Sequence, residues 1–255
     1  MDIPIIFEDN HLLVVEKPPN ILSQEDKSKD LDILTLLKNK IKVRDNKPGN
    51  VFLGLVHRLD RPVGGVMIFA KTSKCASRLT EQIRKRTFEK FYLAIIHGIP
   101  KKKTGILENF LLKNRRTNTV SVVEKNKKGA RKAILDYEVI DTVENYSLIK
   151  INLRTGRPHQ IRVQLSVIGH PLYGDQRYGY EINKKGQQIA LWSHSITCRH
   201  PILKEKISFT SFPKNQGIWK TFKLERFGQI FTTINEDWSL EQKNALDEKI
   251  LQIRE

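Results

Sequence analysis

The sequence predicts an α+β fold, a mixed, mostly antiparallel central β-sheet with flanking helices. Short β-type runs outnumber helical ones, turn residues bound most of them, and strands do not alternate regularly with helices as a doubly wound parallel sheet requires. Strands are expected over residues 3–7, 12–15, 65–70, 88–96, 106–112, 119–123, 133–140 and 146–153, with a late one over 188–192. The first helix, over 31–41, follows from the helical spacing of Ile33, Leu36, Leu37 and Ile41. A second, over 72–86, opens on hydroxyl residues able to cap it and closes on cations that suit the negative end of the helix dipole. A third begins near Pro158, which fits a first helical position after the Thr155-Gly156 turn, with Ile161, Leu165 and Ile168 facing the core. A fourth, over 237–253, is amphipathic through Leu240, Leu246, Ile250 and Ile253. Residues 42–50, with Lys47-Pro48-Gly49, read as a surface loop.

Composition narrows the partner. Among 255 residues, 45 Lys and Arg face 28 Asp and Glu, a formal net charge of +17, which favours a polyanionic partner over a neutral metabolite. The charge is concentrated between residues 113 and 132, where Lys113, Arg115, Arg116, Lys125, Lys127, Lys128, Arg131 and Lys132 read as a basic hairpin able to grip phosphates. Cys75 and Cys198 are far apart and form no Cys-x-x-Cys pair, so neither a disulfide framework nor a cysteine zinc site is supported. The first residues carry no signal-like segment, and no run approaches the ~20 apolar residues that span a bilayer. A cytoplasmic protein is expected.

Four segments carry chemistry. Val56-His57-Arg58-Leu59-Asp60-Arg61-Pro62 sets one carboxylate between two arginines, just before the apolar run at Val66. If close in space, Arg58 and Arg61 keep Asp60 ionised, and an ionised carboxylate serves as nucleophile or base. His57 reads more simply as a hydrogen-bonded structural residue. In 88–96, alternation puts Phe91, Leu93 and Ile95 on one face and Tyr92 on the other beside small Ala94, so its ring has room to stack on a base. Arg162 projects from the first turn of the third helix, where its guanidinium can pair with Asp60 or with a phosphate. Leu191, in the late strand, is a candidate wall for an apolar slot.

In this order the segments resemble the RluA-type family of RNA pseudouridine synthases. The resemblance rests on His57-Arg58-Leu59-Asp60-Arg61, Lys90-Phe91-Tyr92-Leu93-Ala94, Thr155-Gly156-Arg157-Pro158-His159-Gln160-Ile161-Arg162, Gly169-His170-Pro171-Leu172-Tyr173-Gly174-Asp175 and Ile189-Ala190-Leu191. The opening Leu13-Val14-Val15-Glu16-Lys17-Pro18-Pro19 matches as well, so the similarity runs over about residues 5–213. Gly64 and Asn20 depart from the residues common in the family, away from the proposed chemistry.

The resemblance implies a pseudouridine synthase fold and isomerisation of uridine to pseudouridine in structured RNA, ribosomal or transfer, without cofactor or metal. Asp60 is then the essential catalytic carboxylate. Tyr92 stacks on the target base, Arg162 pairs with Asp60, Leu191 is the apolar wall, and His57 and Arg58 complete the substrate side of the motif. The base leaves the stack, the glycosidic bond breaks, and the ring rejoins the sugar through carbon; Asp60 either adds to the sugar or removes a ribose proton, and the sequence leaves both routes open. A single catalytic domain over 1–255 is expected, its core at 5–213 and an extension over 214–255 ending in the fourth helix, with no separate N-terminal RNA-binding module and no obligatory protein partner or membrane contact, as a monomer. A metal-dependent nuclease using His57, Asp60 and His159 lacks the clustered acids of a two-metal site. The remaining alternative is an RNA-binding assembly factor or chaperone with a synthase fold and no turnover.

Overall fold

The computed structural model describes residues 2–224, which fall into two compact units. The first unit takes residues 2–88 and Ser195–Ser211; the second takes Glu89–His194 and residues 212–224.

In the first unit, β1 (Ile5–Glu8) and β2 (Leu12–Lys17) pair antiparallel across a turn in which the Asp9 carboxylate accepts the backbone N–H groups of His11 and Leu12. The strand begins at Ile5 rather than at residue 3. Pro4 has no N–H to give to the ladder, although its carbonyl still accepts the Glu16 N–H at 3.0 Å. Helix α1 (Ile33–Arg44) starts where Asp32 caps it by accepting the Thr35 N–H, two residues later than expected. It also runs on through Lys42, Val43 and Arg44, placed above in a loop, because the two cations suit the last turn. The short β3 (Gly54–Leu55), which no periodicity announces, pairs with Ala70 and Phe69 of β4 (Gly64–Ala70). All seven residues of β4 are buried, and its other edge pairs antiparallel with β2. Helix α2 (Ser73–Lys85) is capped by the Thr72 hydroxyl and stopped by Arg86 in the left-handed region.

The second unit holds β5 (Glu89–His97), β6 (Thr104–Asn114), β7 (Thr119–Val123), β8 (Arg131–Val143) and β9 (Tyr146–Asn152), ordered β5-β9-β8-β6-β7 with every neighbour antiparallel. Helix α3 (Gln160–Val167) begins two residues after Pro158, so the proline is not its first residue. His159 caps it in a left-handed conformation with φ 52°. Ile161 and Leu165 are buried as expected, whereas Ile168 lies beyond the helix and is 39% exposed.

The late strand, β10 (Leu191–Arg199), starts later and runs further than 188–192. Residues 188–190 precede it as extended chain, with the Ala190 N–H on the Tyr173 carbonyl and its own carbonyl on the Ile95 N–H. Within the first unit, Ser195 to Arg199 of β10 pair antiparallel with β11 (Lys206–Thr210). Leu12, Val14, Val66, Ile68, Leu79, Ile196, Ile207 and Phe209 pack into that unit's core, each fully buried side chain of this kind worth about 1.5–3 kcal/mol. The mostly antiparallel sheet with few helices is the fold class expected. The fourth helix, over 237–253, lies outside the described residues, and no described helix is long and apolar enough to cross a membrane.

Candidate active site

Asp60 sits on the connection between β3 and β4, in a turn closed by the Val63 N–H on the Asp60 carbonyl at 3.0 Å. Leu59 and Val63 turn inward and are buried, which leaves the Asp60 side chain half-buried between them. The backbone around it is held at several points. The Ser23 hydroxyl donates to the Leu59 carbonyl at 2.7 Å and accepts the Leu59 N–H at 3.1 Å. His57 Nε2 accepts the Ile68 N–H at 3.0 Å, so the ring fastens the connection to β4. Arg58 is exposed, and the Arg61 guanidinium pairs with Asp30 at 2.6 Å. The expected flank of two arginines on Asp60 is therefore replaced, at Arg61, by an ion pair with a different carboxylate.

A buried cation that feels the Asp60 carboxylate is Lys17, at the end of β2. Its side chain is fully buried, and its ammonium donates to the carbonyls of Pro18 (2.9 Å), Ile21 (2.7 Å) and Arg61 (3.1 Å). Burial drives its pKa down to about 7, against the Asp60 carboxylate, which pulls it up, and with Arg61, which pushes it down further. Lys17 stands opposite Gly65, whose φ of 117° suits only glycine. The sequence offered Lys17 merely as part of an opening motif.

In the second unit, Tyr92 lies on β5 opposite Ile151 and is only 6% exposed. β5 is buried on both faces from Tyr92 to Ile96, so the alternation there does not separate core from surface. Leu191 opens β10 and is also buried. The motif from Thr155 to Arg162 is wired to β8: Thr155 Oγ1 accepts the Ile134 N–H and donates to Gln160 Oε1, and Gln160 Nε2 donates to the Ile134 carbonyl. Gln164, one turn on, donates to the Leu107 carbonyl and to Asn109. These bonds fix α3 and hence Arg162.

Arg162 is buried and forms a two-pronged pair with Asp175, Nε to Oδ2 and Nη2 to Oδ1, both at 2.8 Å. Burial alone raises the Asp175 pKa, but the Arg162 hydrogen bonds and charge, with the N–H groups of Arg177 and Tyr178, outweigh it and hold the group below the usual carboxylate range. The guanidinium also lies over the Tyr178 ring, 5.3 Å from its centre. Tyr178 Oη accepts the Val120 N–H from β7 and bonds His159 Nδ1 at 2.7 Å. Asp175 and Tyr178 were not singled out by the sequence, since nothing local marks their pairing with a residue on α3. The basic residues of the β6–β7 hairpin and its flanks, from Lys113 to Lys132, are all exposed.

A family model described as RNA pseudouridylate synthase matches residues 11–167, more than half of the chain. The chain belongs to that family. A protein of Aquifex aeolicus described as an uncharacterized RNA pseudouridine synthase is 30% identical over 92% of this chain and 73% of its own length. The ribosomal large subunit pseudouridine synthase C of Haemophilus influenzae is 30% identical over 81% of the chain and 64% of that protein. An uncharacterized RNA pseudouridine synthase of Bacillus subtilis is 32% identical over 81% and 67%. The chain thus spans about two thirds of the length of several curated relatives, and the RluA-type resemblance holds. Two human structures share the fold. RNA pseudouridylate synthase domain containing 4 has a TM-score of 0.71 at 22% identity, covering 88% of this chain and 92% of that one. RNA pseudouridylate synthase domain containing 1 has a TM-score of 0.70 at 20% identity, covering 92% and 97%.

Proposed function

We propose that this synthase converts specific uridines of ribosomal RNA to pseudouridine, with Asp60 as the reacting carboxylate. The observation that carries the reading is the Asp60 turn: its backbone is pinned by Ser23, His57 and Lys17 while the carboxylate itself remains half-buried, an arrangement suited to presenting one charged group to a substrate. Tyr92 stacks on the flipped uracil and Leu191 walls the slot, so that water does not capture the sugar while its bond to the base is open. Arg162 pairs with Asp60. A guanidinium carries five N–H donors and the Asp175 bond uses two, so the same fork can serve a second carboxylate. Asp175 then acts as the group that orients Arg162.

The exposed cations of the β6–β7 hairpin supply phosphate contacts whose energy offsets the few kcal/mol needed to unstack a nucleotide. The ribosomal target is supported by the likeness to the Haemophilus relative, a ribosomal large subunit pseudouridine synthase. The synthase is proposed to act in the cytoplasm as a monomer, without metal or cofactor; the two buried, free cysteines suit a reducing compartment. The deciding experiment maps pseudouridines in ribosomal RNA from cells with and without the protein, and treats unmodified large-subunit transcript with the purified enzyme. A position that loses its modification in the cell and gains it in the tube supports the reading. No difference in either setting overturns it.

A further inference from the structure

We propose that Lys90 is a phosphate-binding residue, holding the RNA backbone beside the nucleotide whose base rests on Tyr92. This rests on the function proposed above, and it adds a substrate contact that the family resemblance did not assign. Lys90 and Tyr92 are two residues apart on β5, so they share a face of the strand about 7 Å apart along it. That is the scale of the reach from a base across its ribose to a phosphate.

Three features single Lys90 out among the lysines. It is partly buried, and burial lowers its pKa with no charged partner to oppose the change. Among the described residues, no carboxylate, carbonyl or hydroxyl bonds its ammonium. Other shielded lysines are provided for: Lys17 has three carbonyls, and Lys71 has Glu8 and the Asp9 carbonyl. A cation withdrawn from water without a partner lowers stability, and a polyanionic substrate supplies the missing charge.

The third feature is the space kept for it. The Leu153 N–H donates to the Lys90 carbonyl at 3.0 Å, so Lys90 adjoins the turn of Arg154, Thr155, Gly156 and Arg157. A β-carbon on Gly156 would stand 3.1 Å from the Lys90 nitrogen, closer than ordinary contact, and Gly156 has none of the positive φ that would itself call for glycine. The glycine leaves the ammonium its place. The turn also brings Arg154 and Arg157, each directed elsewhere, to Asp136 and to the Lys132 carbonyl.

The test compares wild type with Lys90→Met and Lys90→Arg, using unmodified large-subunit ribosomal RNA transcript as the probe and measuring affinity across a salt series together with Tm. Lys90→Met is expected to bind about tenfold more weakly at low salt. Its plot of log affinity against log salt should be shallower by about 0.7–0.9, the mark of one lost phosphate contact. Its Tm should equal or exceed that of wild type, because the substitution removes an uncompensated charge, and Lys90→Arg should restore the slope. An unchanged slope overturns the proposal, whether Tm falls, as for a purely structural lysine, or stays the same. Pseudouridine formation by wild type on the same transcript is scored separately, so a failure of the proposed reaction is distinguishable from a failure of the Lys90 contact.

Discussion

The Lys17 ammonium donates to the backbone carbonyl of Arg61 at 3.1 Å and so ties the end of β2 to the residue next to Asp60. The turn that carries Asp60 is thereby anchored by a buried cation, while the exposed Arg61 side chain reaches Asp30.

Replacing Lys17 by Met leaves the carbonyls of Pro18, Ile21 and Arg61 without their donor. A loss of about 3 kcal/mol is expected in urea unfolding, together with reduced turnover. The pH dependence has a definite sign. Between about 7 and 10.5 the unfolded chain keeps a proton on Lys17 that the folded chain gives up, so stability from this group rises with pH across that window. The rise should vanish in Lys17→Met; an identical pH profile in the two proteins would contradict the buried titration.

Asp60→Asn keeps the shape of the turn and removes the reactive charge. Pseudouridine formation should fall by about 10³-fold or more, while RNA affinity, dominated by phosphate contacts, stays within a few fold of wild type. Appreciable turnover by the folded variant would exclude Asp60 as the reacting group.

Arg162→Lys retains the charge but not the planar fork, so it cannot reach both Asp175 oxygens as the native pair does. Stability should drop by about 1–3 kcal/mol, since Asp175 stays buried with part of its bonding lost. Single-turnover rates should fall by about 10–100-fold. Wild-type rates with lowered stability would mean that Arg162 serves only the fold.

A buried pair in the first unit contributes to the acid limb of stability. His200 Nδ1 accepts the N–H groups of Ile202 and Leu203, so its other nitrogen carries the proton and donates to Asp9 at 2.8 Å. Burial raises the Asp9 pKa, but the bonds from His200, Leu12 and His11 outweigh it and lower the group below its ordinary 3.8. Its contribution is therefore full above 3.8 and disappears as pH falls through the depressed folded value. Asp9→Asn should lose about 1–3 kcal/mol at neutral pH and show a flatter decline in acid. A decline as steep as that of wild type would assign the acid sensitivity to other carboxylates.

The sequence revealed elements better than partners. Periodicity and caps located α1, α2 and the long strands, and the order of motifs pointed to Asp60 and Arg162, because each lies in a run whose composition is unusual by itself. Lys17 was hidden. A lysine at the end of a strand gives no sign of full burial until residues 18, 21 and 61 assemble their carbonyls around it. Asp175 stands thirteen positions beyond Arg162, and only the intervening loop brings them into contact. The burial of Tyr92 was not legible, because alternation alone does not say that a strand is covered on both faces. Pro158 fitted a first helical position, yet the bonds of Thr155 and Gln160 to Ile134 delay the helix by two residues.

The division of the chain sets an order of events during synthesis. The first unit needs both its opening 88 residues and Ser195–Ser211, and its Asp9–His200 bond joins positions 191 residues apart. The β5–β9 sheet and α3, by contrast, lie within one unbroken stretch, Glu89–His194. On a ribosome the middle of the protein is able to close while its start still waits for β10 and β11 to emerge. The turn that carries Asp60, though made early, belongs to a unit that still needs Ser195–Ser211, so an interrupted chain ending before residue 195 would have the β5–β9 sheet and the Arg162–Asp175 pair in place ahead of a settled Asp60.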